Sequence, residues 1–174
     1  GIMFVARSYL AHQSLIKQLA ARSVKRIYAA VCRGALSGGG LVDAPIGRHP
    51  SVRTRMAVTE GGKPSVTHYR IAERFGHHTA LSVSLETGRT HQIRVHLASR
   101  NNPLIGDPVY GGRPRPPAGA STELQTMLRT FSRQALHAQT LAFDHPATGE
   151  RCQFETPLPD DLVGLLDVLR THDA

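Results

Sequence analysis

Periodicity along the chain predicts an α+β fold, a mixed and mainly antiparallel sheet with helices packed on one side. Three observations predict it. Segments that alternate with a period of two outnumber those with helical spacing, most of the strand-like segments are joined by turns of hairpin length, and 174 residues are enough for one domain with a real core. No Gly- or Pro-rich stretch is long enough to be a domain linker, and no internal repeat is present.

In order, the apolar run Ile2-Met3-Phe4-Val5-Ala6 makes residues 1–6 a buried strand. Ser8 is placed to cap a helix over 8–21 whose Leu10, Leu15, Ile16 and Leu19 form an apolar stripe. Residues 24–34 alternate as a strand, with Val24, Arg26, Tyr28 and Ala30 on one face and Lys25, Ile27, Ala29 and Val31 on the other. Gly34 and the run Ser37-Gly38-Gly39-Gly40 end it. A short strand follows at 41–46, stopped by Gly47, and another at 56–58 before the turn Gly61-Gly62-Lys63-Pro64. Residues 66–75 and 79–86 read as paired antiparallel strands around Gly76-His77-His78, since Leu81, Val83 and Leu85 alternate with Ser82 and Ser84. A turn at Gly88 leads into a helix over 90–99, with Ile93 and Leu97 on one face. Asn101-Asn102-Pro103 breaks it, and 106–117 is loop. A helix at 122–130, strands at 136–143 and 151–155, and an amphipathic helix at 160–169 complete the order.

Composition narrows the function. Lys and Arg number 21 against 13 Asp and Glu, a formal charge of +8, and the pI is near 10.3. Such a balance points to a polyanion, RNA or DNA, ahead of an acidic protein or an anionic membrane. No apolar run approaches the roughly 20 residues of a membrane span. Cys32 and Cys152 form neither a disulfide framework nor a C-x-x-C pair, which suits a reducing cytoplasm. Gly1 leads straight into an apolar run with no polar lead-in, so the chain reads as cut from a longer one.

The densest polar constellation runs from Glu86 to His96. Helical spacing would put Thr90, His91 and Arg94 on one side, opposite or flanking the Ile93–Leu97 stripe. An Arg in a partly dry site demands a carboxylate or phosphate, whereas on an ordinary surface helix it is simply solvated. Zinc binding by His91 and His96 fails, because five is a poor helical spacing and no third ligand stands between them. Tyr28 is either a core aromatic or a base-stacking or proton-accepting phenol. Arg48, His49, Arg53 and Arg55, with the later Arg113 and Arg115, are either phosphate contacts or solvated loops. An aromatic content of 5% argues against a stacking-platform RNA module.

Five motifs together carry a resemblance. Arg26-Ile27-Tyr28-Ala29-Ala30-Val31, Pro45-Ile46-Gly47-Arg48-His49-Pro50, Lys63-Pro64-Ser65-Val66-Thr67-His68-Tyr69, Glu86 to His96 and Gly106-Asp107-Pro108-Val109-Tyr110-Gly111-Gly112 resemble those of the large-subunit ribosomal RNA pseudouridine synthases, the D type in particular. The likeness extends over essentially the whole chain. It implies the family's mixed, mostly antiparallel sheet and a cofactor-free isomerisation of a uridine flipped out of large-subunit ribosomal RNA. It further implies that Arg94 pairs with a nucleophilic aspartate and keeps it ionised, and that Tyr28 lies against the flipped base. Arg48, His49, Arg53, Arg55, Arg89 and His91 become RNA contacts.

Family members carry the aspartate in an H-R-L-D run shortly before a Gly that opens an apolar strand, which is what Gly1 to Ala6 looks like. The resemblance therefore implies that residues 1–174 are the C-terminal portion of a catalytic domain, inactive alone, with Arg94 lacking its counter-ion. Asp43 and Asp107 are not substitutes, Asp107 being placed for an Asx-turn. No metal or small-molecule cofactor is expected, and nothing periodic suggests a dimer seam, so the chain reads as a monomer. The alternative is a non-catalytic basic RNA-binding module.

Overall fold

A computed structural model describes residues 1–173. The elements are α1 (Tyr9–Ala20), β1 (Lys25–Arg33), β2 (Gly40–Asp43), β3 (Ile46–Arg48), β4 (Met56–Val58), β5 (Val66–Arg74), β6 (His78–Leu85), α2 (Gln92–Ser99), α3 (Thr122–Thr130), β7 (Leu136–Asp144), β8 (Arg151–Glu155) and α4 (Asp160–His172). Six strands form one sheet in the order β2-β5-β6-β1-β7-β8, and β3-β4 is a separate hairpin. Every pairing between these strands is antiparallel.

The helices lie on both faces of the sheet, not on one as the sequence predicts. Val31 and Ala80, opposite each other on β1 and β6, pack under α3 and α4 with Leu124, Leu128, Leu162 and Leu165. Their neighbours Ala30, Cys32, Leu81 and Val83 face the other way and meet Ile93 and Leu97 of α2. The cause is visible in β1 itself. Residues 29–32 are apolar at every position, so both sides of the strand need cover. Burial pushes the Cys32 thiol up to about 12, which makes it a packing residue.

Three further expectations are corrected. Residues 1–6 make no strand: Met3 and Val5 are exposed, and the segment touches the sheet through Ile2 N–H donating to the Ala138 carbonyl at 2.9 Å. β8 pairs with β7 from Thr140 to Asp144, and Thr156 N–H extends that contact by donating to the Gln139 carbonyl at 3.0 Å, so Ile2 meets β7 next to it, at Ala138. The segment 41–46 splits at Pro45, which has no N–H for a ladder; Gly40–Asp43 joins the large sheet and Ile46–Arg48 the hairpin. In α1, capped by the Ser8 hydroxyl accepting from Ala11 N–H, Leu15 alone is buried, while Leu10 and Ile16 are exposed.

Candidate functional site

Helix α2 is short and almost wholly interior: Gln92 to Leu97 are all buried. Its apolar side, Ile93 and Leu97, closes over the sheet, so the polar residues between them must find partners inside the protein. Each does. The Gln92 side chain donates to the Val66 carbonyl and the Thr67 hydroxyl, both at 2.9 Å. Its carbonyl oxygen accepts from the Thr87 hydroxyl at 2.8 Å and from Arg89 N–H at 3.0 Å. One turn later His96 donates from Nε2 to the Ala44 carbonyl and accepts at Nδ1 from Thr67, both at 2.9 Å. Burial lowers the His96 pKa, so the ring is held neutral. Gln92 and His96, four apart on one flank, clamp the β6–α2 turn onto β5.

Arg94 occupies the opposite flank. Its Nε and Nη2 donate to the two carboxylate oxygens of Asp107, each at 2.8 Å, and its guanidinium lies 4.9 Å from the centre of the Tyr110 ring. The arginine is 9% exposed and the aspartate 2%. Hydrogen bonding to Asp107 raises the Arg94 pKa against the effect of burial. At Asp107 burial works upward, but the bonds from Arg94 and from the N–H groups of Tyr110 and Val109 hold the carboxyl below its usual range. The expectation that Arg94 stands without a counter-ion is therefore corrected. Asp107 makes the turn foreseen for it and also balances the arginine. Two of the three guanidinium nitrogens are used; Nη1 makes no hydrogen bond within the described residues.

His91 is not in the helix. It takes a left-handed backbone, φ 58° and ψ 21°, at the capping position and caps with no side chain. Such a conformation is uncommon for a residue with a Cβ and is found where the surroundings enforce it. Here the imidazole is engaged elsewhere: the Tyr110 hydroxyl accepts from Met56 N–H at 3.0 Å and donates to His91 Nδ1 at 2.9 Å. Burial, then the charge of Arg94, lowers the His91 pKa, which keeps the ring neutral enough to accept. Thr90 and His91 thus do not share a helical side with Arg94, as the spacing predicts, yet His91 still reaches it through Tyr110.

The Met56–Tyr110 bond fastens the β3–β4 hairpin to this cluster. Arg48, Arg53 and Arg55 stand exposed on it, and Arg89 is exposed on the β6–α2 turn; none has an ion-pair partner among the described residues. Arg48 donates to the Arg53 carbonyl, and His49 Nδ1 accepts from the N–H groups of Ser51 and Val52, so the hairpin end is shaped by its own side chains.

Tyr28 stands on the α2 face of β1, packed against the Ile93–Leu97 cluster and lining a cleft with Ile2, Phe4, Arg26 and Ala138. Burial raises its pKa, only partly offset by the Arg26 charge, so the phenol keeps its proton at neutral pH. No hydrogen bond or ring contact joins it to Arg94. Sequence reasoning missed Asp107 as an ion-pair partner, Tyr110 as the hub and Gln92 as the clamp. The i, i+4 spacing of Gln92 and His96 was the one available signal.

Residues 1–99 match the family model described as RNA pseudouridylate synthase. The chain is 56% identical over 170 residues to the ribosomal large subunit pseudouridine synthase D of Pseudomonas aeruginosa, covering 98% of this chain and 53% of that protein. It is 54% identical to the protein of that name from Escherichia coli K12, again over 98% of this chain and 52% of the relative. The chain thus spans about half the length of the curated relatives it matches. Among solved structures, human RNA pseudouridylate synthase domain containing 1 aligns with a TM-score of 0.72 at 26% identity, covering 97% of this chain and 67% of the other. Human RNA pseudouridylate synthase domain containing 4 gives 0.72 at 24%, covering 91% and 67%, a likeness of fold.

Proposed function

The chain belongs to the RNA pseudouridylate synthase family, and from that premise we propose that the whole protein isomerises uridine to pseudouridine in large-subunit ribosomal RNA. The reaction breaks the bond from N1 to C1′, turns the uracil and joins C5 to C1′. The C5 proton leaves to solvent and N1 takes one up, so no oxidant or reductant enters the balance.

The observation that carries this reading is Arg94, buried, fixed along one edge by Asp107, and left with Nη1 to offer a second anion. In the proposed site that anion is the nucleophilic aspartate, which the guanidinium keeps ionised and aimed. No described aspartate lines the Tyr28 cleft, and Asp107 is fully engaged. The resemblance to the family supports a nucleophilic aspartate outside residues 1–174, with these residues as the C-terminal portion of the catalytic domain, inactive by themselves. The Tyr28 ring packs against the flipped base, a role that suits a phenol whose proton is held. Arg48, His49, Arg53, Arg55, Arg89 and His91 lie on or beside the two segments that would grip the RNA backbone. The protein acts as a cytoplasmic monomer.

Tritium release tests the substrate. Large-subunit ribosomal RNA labelled at C5 of its uridines should lose tritium to water when incubated with the whole protein. Release from transfer RNA or small-subunit RNA but not from large-subunit RNA would move the substrate assignment elsewhere.

A further inference from the structure

We propose that Arg26 is a phosphate-binding residue of the Tyr28 cleft, seating the phosphodiester beside the nucleotide whose base meets the tyrosine; the role rests on the RNA-modifying reading above. Arg26 and Tyr28 alternate on β1, so their side chains leave the same face about 7 Å apart. That is comparable to the span from base to backbone within one nucleotide. Both line one cleft, with Ile2, Phe4, Ala138 and Thr140.

The guanidinium is held in an unfinished state. Arg26 is half-buried, and its Nε is one of two buried side-chain polar atoms without a hydrogen-bond partner among the described residues. No carboxylate lies within ion-pair distance of it, in contrast to Arg94 with Asp107. Burial lowers its pKa, the direction expected of a cation that has lost water and gained no counter-charge. An arginine stays charged all the same, so an anion from outside is what the site lacks.

The turn above it is fitted to the same group. A Cβ built at Gly88 would stand 2.5 Å from Nη1 of Arg26, and Gly88 has no left-handed backbone that would otherwise call for glycine. Glycine there makes room for the guanidinium. The adjoining Arg89 is exposed, with Nε donating to the Pro64 carbonyl, so it is directed toward the start of β5 and Arg26 is the cation that lines the cleft. A planar fork beside an aromatic ring matches a phosphodiester, which accepts two parallel N–H bonds and cannot be neutralised by protonation near neutral pH.

The test measures affinity of the whole protein for a uridine-containing fragment of large-subunit RNA across a salt series. Arg26→Gln should weaken binding about tenfold at low salt and flatten the slope of log K against log salt by about 0.7, the value of one phosphate contact on a single strand. Arg26→Lys should restore the slope but not the full affinity. Should Arg26→Gln fail to fold, Arg26→Lys decides the matter, because an ammonium keeps the charge and loses the two parallel N–H bonds to the phosphate. Wild-type slope in Arg26→Gln, or wild-type affinity in Arg26→Lys, would overturn the role of Arg26 alone. Absence of salt-dependent RNA binding by the wild type would overturn the RNA-modifying reading with it.

Discussion

Asp107 accepts both Nε and Nη2 of Arg94 at 2.8 Å across thirteen positions of sequence, while its Oδ1 also accepts the N–H groups of Val109 and Tyr110. One carboxylate therefore shapes the 106–112 loop and fixes the angle of the guanidinium. With that edge locked, the orientation of Nη1 follows from the fold rather than from a flexible side chain.

Removing the carboxylate leaves a buried cation and two unpaired N–H groups. Asp107→Ala should cost about 3–5 kcal/mol of stability, the usual result of breaking a buried pair from one side. Asp107→Asn keeps an acceptor for the loop and should lose less. Chemical denaturation of the two variants checks the order, and an Asp107→Ala protein as stable as the wild type would contradict it.

Acid should unfold the protein through its neutral histidines before its carboxylates matter. His91 and His96 have folded pKa values below their ordinary 6.5, both chiefly through burial. The unfolded chain thus binds more protons, and stability rises with pH. The contribution is complete above about 6.5 and is lost as the pH falls below that value toward the folded pKa of each ring. The Asp107 contribution is lost only at lower pH, below the ordinary carboxylate value of 3.8. Denaturation midpoints from pH 7.5 to 5 should fall, and fall less in His96→Gln, whose side chain takes on no charge.

Much of this arrangement was legible beforehand, and the omissions have causes. Strands β5, β6, β7 and β8 announce themselves through alternation and flanking turn residues, and α3 falls where the sequence places it, with Ser121 accepting from Leu124 N–H at its start in the structure. The failures lie where tertiary partners decide. The apolar opening segment meets the sheet through a single backbone bond, Ile2 N–H to the Ala138 carbonyl, where no ladder forms. The exposed Leu10 and Ile16 satisfy a helical stripe that the fold does not use. Helix α2 begins two residues late because Tyr110 draws His91 out of it. The Arg94–Asp107 pair spans a loop whose path no local pattern records. The cover on both faces could have been read from residues 29–32, where no position is polar.

Gln92 joins β5 to the turn that carries Arg89. Gln92→Ala leaves several buried groups unpaired and should cost about 1–3 kcal/mol. Hydrogen exchange should quicken at the Arg89 amide, which Gln92 holds directly, more than at the core of β6. Equal protection in both proteins would show that the turn does not depend on Gln92.

The hairpin arginines act through charge. Replacing Arg48, Arg53 and Arg55 with Gln should lower RNA affinity for all sequences and reduce the salt slope by about 2 for single-stranded RNA. These side chains are exposed and make no ion pairs among the described residues, so thermal stability should change by less than about 0.5 kcal/mol. A melting point that drops with the slope would mean the hairpin, not its charge, had been disturbed.

The role of Arg94 is the most exposed to test. In single-turnover tritium release from C5-labelled large-subunit RNA, the whole protein carrying Arg94→Ala, shown folded by its denaturation curve, should react about 10²–10³-fold more slowly than wild type, the loss typical of a preorganised charge contact. Arg94→Lys should recover only part of the rate, since an ammonium cannot hold Asp107 along two parallel bonds and offer a third. Wild-type rates in the folded Arg94→Ala protein would show that the Asp107-bound guanidinium is structural and that the reaction is run from elsewhere.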